Sequence, residues 1–304
     1  MGILQVALLG NVRVTHDNWR TDVKLTREIQ ALLAYLLLQR HKIHPREVLT
    51  DMFWGERNQE RARASLNTAL WKLKKALEPK GIPVGTYLKN TRQGGVAFNR
   101  DSQYWLDVEV FEDKVNRILG CPFQAAETSH AIDLEKALAL YKGDLLEGFY
   151  NDWALRERER MRAQYTRSLI YLLEYYGFHR SYDKAISYGQ QILDLDPLRE
   201  EIHREMMRLF VENGQRTLAV RQYETCRNTL AKELGISPVE ETQRTYAQIL
   251  TGANESSSFM NSKQQFGFDQ VLQQLMAACI AVDLAKGQLQ EVLELIAKYS
   301  EHLG

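Results

Sequence analysis

The sequence predicts a mainly α-helical protein: a small α+β head, a body of paired-helix repeats and a helical tail. Three observations carry this. Short β-branched runs bracket three helical periodicities in the first 105 residues, one segment recurs at an offset of 34 residues between 171 and 238, and apolar residues return at 4-3 spacing from Phe268 onward.

The 304 residues, 44% hydrophobic and 26% charged, suit a core-forming chain and exclude general disorder. No apolar run approaches the roughly 20 residues of a bilayer span, and MGILQVALLG has no charged n-region with a cleavage site, so no membrane role and a cytoplasmic location are expected. Cys121, Cys226 and Cys279 stand far apart without a CxxC pair, which argues against a zinc module or disulfide framework. The 39 basic and 39 acidic residues cancel, but unevenly. Residues 1–105 hold 17 basic and 9 acidic groups, a net +8, which leaves 22 against 30, or −8, in 106–304. A basic head on an acidic body is the charge layout of a nucleic-acid binder with a separate regulatory part.

The chain opens as β, with ILQVALL and VRVT separated by Gly10 and Asn11, which accept the positive φ of a tight turn. From 26 to about 39, Ile29, Leu32, Leu33, Leu36 and Leu37 recur at helical spacing, with Thr26 placed to cap and Glu28 near the positive dipole end. Pro45 suits the first turn of a short second helix, in which Val48, Leu49, Met52 and Phe53 repeat until Gly55. A third helix spans about 61–77 with Leu66, Leu70, Leu73 and Leu77 as its core stripe. Its other face carries Arg61, Ala64, Thr68, Trp71, Lys72 and Lys75, with Trp71 about 140° from the leucines. VGTYLKN and VAFN follow as two strands around a Gly94-Gly95 turn with Arg92 at the tip. Hairpin, helix, short helix, basic helix and hairpin, in that order, match a winged helix-turn-helix whose third helix enters the major groove of double-stranded DNA.

Beyond about 130 the periodicity is uniformly helical. Residues 171–197 compare with 208–238, where Ala185 pairs with Ala219 and Ile186 with Val220, both 34 apart. Small residues at these positions, with Gly177 and Gly214 near the turns, are what tetratricopeptide helix pairs require. The serine-rich stretch TGANESSSFMNSK suggests a linker over 251–266. In the tail, 267–304, a seam of Phe268, Leu272, Leu275, Cys279, Val282, Leu289, Leu293 and Ile296 is interrupted at Lys286-Gly287. One long helix would bury that seam against a second chain and give a homodimer; the Lys286-Gly287 break would instead fold it as a hairpin or lay it back on the repeats.

Contact with bases or phosphates is expected from Arg61, Arg63, Asn67, Thr68, Trp71, Lys72 and Lys75, with Arg92 reaching the minor groove. No nucleophile elbow, phosphate loop or dinucleotide fingerprint is present, so an enzyme is not expected, nor is a cofactor. His41 and His44 read as turn histidines rather than metal ligands.

These residues resemble the SARP-type bacterial activators, an OmpR-like winged helix-turn-helix followed by a bacterial transcriptional activation domain (BTAD). The resemblance rests on LTREIQALLAYLLLQ, REVLTDMFWG, RARASLNTALWKLKKAL and WLDVEVFE in the head, and on LYKGDLLEGFYNDWALRERE, LDLDPLREEIHREMMRLFVENGQRTLAVRQYE and LAKELGISPVEET in the body. The wing YLKNTRQGGVAFN departs from the G-Y step often found after the turn in such proteins. The resemblance implies domains at 1–105 and 106–250, a transcriptional activator that contacts RNA polymerase, and dimers on direct repeats. It also implies that the loop 54–60 faces polymerase. With no receiver segment before the head, aspartate phosphorylation is not an expected input. A tetratricopeptide adaptor whose winged domain binds protein is the rival reading, opposed by the +8 head; a body that senses a small-molecule effector is compatible with the main one.

Overall fold

The computed structural model describes residues 3–16, 23–79, 81–91 and 94–252. The chain divides into two compact units, Met1–Thr242 and Gln243–Gly304. From 253 onward, most of the expected linker and the whole expected tail lie outside the described residues.

In the first unit, β1 (Leu4–Ala7) pairs antiparallel with β2 (Arg13–His16), Leu4 facing His16 and Ala7 facing Arg13. The connection is therefore five residues, 8–12, and not the expected two-residue turn, although Gly10 does take φ +100°. The extra residues pair elsewhere. Leu8 and Leu9 donate their amides to the buried Asp107 carboxylate at 2.8–2.9 Å, and the Gly10 amide donates to the Asp144 carbonyl at 3.0 Å.

Helices α1 (Arg27–Leu38), α2 (Arg46–Trp54) and α3 (Gln59–Leu77) form the helical core of the head. The α1 stripe buries Ile29, Leu32, Leu33, Leu36 and Leu37 as its periodicity dictates. Thr26 occupies the N-cap position but makes no side-chain cap bond. In α2 the expected stripe is only half buried: Leu49 is fully inside, while Val48 and Met52 are 45% and 37% exposed. Trp54 takes the buried place instead, with its indole N–H donating to Glu28. The wing follows as β3 (Leu88–Asn90) against β4 (Val96–Phe98).

A strand absent from the sequence reading, β5 (Tyr104–Leu106), then adds parallel to β1, giving a sheet of order β2-β1-β5. It runs directly into α4 (Asp107–Leu119), so Asp107 opens α4 and binds the β1–β2 connection at once. Burial pushes its carboxyl up, against the pull of the amides of Leu9, Leu8 and Val108.

A short 3-10 turn (Phe123–Ala125) and α5 (Thr128–Leu138) lead to α6 (Asp152–Phe178). Leu146 holds φ +52°, and the Arg158 guanidinium secures that turn through the carbonyls of Leu145, Leu146 and Phe149 at 2.6–2.9 Å. Tyr35 of α1 and Phe53 of α2 meet Trp153 of α6, ring centroids 5.3 and 6.1 Å away, so head and helical body share an aromatic seam.

The repeats are two helix pairs: α6 with α7 (Tyr182–Leu195), and α8 (Glu200–Glu212) with α9 (Arg216–Leu234). Ala185 and Ala219 are fully buried where their pairs approach. Gly177 lies near the turn as expected, as the penultimate residue of α6, and is buried there against Leu209 of α8. The last helix among the described residues, α10, is Glu240–Thr251.

Candidate nucleic-acid interface

The third helix is fixed at its start by Asn58, whose Oδ1 accepts the Arg61 amide at 2.9 Å. Its buried stripe, Ala62, Leu66, Ala69, Leu70, Leu73 and Leu77, determines which residues are left outside. Arg61, Arg63, Asn67, Thr68, Trp71, Lys72 and Lys75 are all exposed. They share one helix surface with Glu60 as its single acidic group.

Trp71 is 59% exposed, far more than a tryptophan with a place in the core. Lys75, one turn on, sets its ammonium 5.0 Å from the Trp71 ring centroid, so the indole and the cation form one shelf. Thr68 donates its hydroxyl to the Ala64 carbonyl at 2.9 Å and presents only acceptor capacity outward. Asn67 accepts from Arg46 Nη1 at 2.6 Å; a guanidinium can only donate, so the bonded atom is the amide oxygen and Nδ2 keeps its hydrogens for another acceptor.

Two arginines missed by the sequence reading join this surface. Arg46, the first residue of α2, reaches Asn67, and Arg57 donates to Ser65 Oγ at 2.6 Å while standing 3.7 Å from Glu28. No spacing along the chain marks them; they join the face because α2 packs on α3. Trp54, the first residue of the loop expected to face polymerase, is buried; Gly55 to Glu60 are exposed.

The wing is braced by the α1–α2 turn. His44 and Val96 exchange backbone hydrogen bonds at 2.8 Å in both directions. A Cβ on Gly95 would come 2.6 Å from Ile43 Cγ2, so a larger residue there would have to displace that side chain, and Gly94 takes φ +80°. Arg92, expected at the tip, lies outside the described residues. His44 is buried with Nε2 3.2 Å from the Gln39 carbonyl, an ordinary turn contact. Among the described residues no group of three or more His, Cys, Asp or Glu could hold a metal ion, and no helix is long and apolar enough to cross a membrane.

Two family descriptions match in tandem: "Transcriptional regulatory protein, C terminal" over residues 20–98 and "Bacterial transcriptional activator domain" over 106–250. The chain belongs to the SARP-type bacterial transcriptional regulators. Among similar proteins, regulatory protein AfsR of Streptomyces coelicolor is 29% identical over 253 residues, 82% of this chain and 24% of AfsR. The SARP-type chain thus spans about a quarter of that relative's length. Transcriptional regulatory protein MoaR1 of Mycobacterium tuberculosis is 22% identical, with 82% of this chain matched to 80% of MoaR1. Transcriptional regulator RedD of S. coelicolor is 24% identical, with 82% matched to 71%. EmbR of M. tuberculosis, solved in complex with a phosphopeptide, shares the fold at a TM-score of 0.63 and 21% identity, over 83% of this chain and 66% of that one. The winged head and helical body therefore share their fold with EmbR.

Proposed function

We propose that this chain is a sequence-specific DNA-binding transcriptional activator in which α3 lies in the major groove. The observation that carries the reading is the outward face of α3: seven exposed residues with four cations, a tryptophan shelf and an amide, on the part of the chain with net charge +8. Arg61, Arg63, Lys72 and Lys75 would neutralise phosphates, which releases counterions and makes affinity fall steeply with salt. Asn67 and Thr68 would meet base edges, and Arg92 the minor groove beside the wing. Turnover chemistry has no part in this reading.

The same proposal extends to partners. Two copies occupy neighbouring half-sites, paired through the 4-3 apolar spacing of 268–300, and RNA polymerase is contacted by the exposed 55–60 loop. The helical repeats receive the signal, a small-molecule effector or a protein. Selection of genomic DNA fragments by the full chain at two salt concentrations tests it. One enriched motif that weakens steeply with salt is expected; no enrichment would leave the adaptor reading in its place.

A further inference from the structure

Outside the α3 face, the described residues of the head hold one more concentration of positive charge. The α1–α2 turn, the base of the wing and the start of α4 surround an open cleft of about 620 Å³. Four full cations line it, Arg40, Lys42, Lys89 and Arg100, against two carboxylates, Asp101 and Glu109. Both carboxylates are already engaged: Arg40 meets Glu109 at 3.0 Å and Lys89 meets Asp101 at 3.1 Å. Lys42 and Arg100 are exposed and have no ion pair among the described residues, and His41 stands in the same wall. Burial, with the Glu109 carboxylate beside it, pushes the Tyr104 hydroxyl up to about 12, so the ring adds no negative charge.

The cleft therefore has two uncompensated cations over a polar concavity within the size range of small-ligand sites, about 300–1,000 Å³. Its two free groups are complementary in kind. An ammonium acts as a point charge, and a guanidinium offers a planar fork that matches two oxygens of a tetrahedral oxyanion. We propose that this cleft binds a phosphate group, brought either by a phosphorylated small molecule or by the DNA backbone as it passes the wing.

The position gives such binding a consequence. The turn that supplies Lys42 is bonded to the wing through His44 and Val96, and Ile43 packs against Gly95, so an occupant of the cleft braces the wing against the turn. The small-molecule arm stands without DNA binding; the backbone arm rests on the DNA-binding reading above.

The test uses the full chain, its Lys42→Ala/Arg100→Ala variant and the charge-preserving Lys42→Arg/Arg100→Lys variant, with melting curves to show that all fold alike. Inorganic pyrophosphate is titrated calorimetrically, and affinity for an enriched DNA fragment is measured against salt. Saturable pyrophosphate binding that the alanine pair weakens at least tenfold and the charge-preserving pair retains assigns the cleft to a free phosphorylated ligand. No pyrophosphate binding, together with a salt slope lowered by up to about two in the alanine pair, assigns it to the DNA backbone. Pyrophosphate binding that is equal in all three proteins, or no binding with an unchanged salt slope, overturns the proposal. Should the protein bind no DNA, the pyrophosphate titration alone decides.

Discussion

Arg180 and Gly214 occupy the same left-handed backbone position of successive repeats, with φ +56° and +73° and 34 residues between them. The hydrogen bonds around them also repeat. Ser181 N donates to Tyr176 O at 2.8 Å, and Gln215 N to Phe210 O at 2.7 Å, again 34 apart. The first repeat thus places a side chain where the second has glycine, at a strain of roughly 1 kcal/mol. Arg180→Gly should raise stability by about 0.5–1 kcal/mol, and Gly214→Ala should lower it by about 1 kcal/mol. Urea midpoints that move together in one direction would contradict the equivalence.

Asp107 satisfies the amides of Leu8, Leu9 and Val108 with one carboxylate in the core. Asp107→Ala leaves buried donors without partners, at about 1–3 kcal/mol each. The expected loss is about 3 kcal/mol or more by urea unfolding, with a shift below 1 kcal/mol speaking against this tie. The same contact argues against testing a fragment that stops at residue 105, because it removes Asp107 and cuts through β5.

Stability should fall on mild acidification. Burial lowers the pKa of His203, opposed by its bond to the Pro197 carbonyl and by Glu200 and Glu201; burial also lowers His44, opposed by Gln39 and reinforced by Lys42 and His41. His203 fits the neutral ring, Nε2 donating to Pro197 O at 3.1 Å and Nδ1 accepting from Gln222 at 2.7 Å. A depressed histidine pKa means that the unfolded chain binds more protons, so stability is lost as pH falls from about 6.5 towards the folded-state values. The urea midpoint should be lower at pH 5.5 than at pH 7.5, and His203→Gln should shrink that difference. Equal midpoints for the native protein would refute the assignment.

Asn67→Asp should strengthen the contact to Arg46 while placing a negative charge on the face proposed to meet DNA. DNA affinity should fall at least tenfold with little change in melting temperature, since exposed ion pairs contribute only about 0–1 kcal/mol. Unchanged affinity would remove Asn67 from the interface.

The helices were readable because each buries one stripe, and the stripe of α3 by subtraction placed all seven of its expected site residues on the solvent side. The repeat offset was readable for the same reason, through Ala185 and Ala219. What escaped depended on partners distant in sequence. The three residues of β5 carry no period of their own and pair with β1 about 100 residues earlier. Gly177 does lie near its turn, but the left-handed position that composition would assign to a glycine is held by Arg180, which no sequence pattern marks. Arg46 and Arg57 reach the α3 face only through the packing of α2 on α3, which no spacing along the chain encodes.

In the proposed function, the outward face of α3 binds DNA. The most direct measurement is the affinity of the full chain and of its Lys72→Ala/Lys75→Ala variant for an enriched fragment across a salt series. A variant that melts like the native protein, binds more weakly across sequences and loses about two from the salt slope is the predicted result. Identical affinity and slope in the two proteins would contradict it.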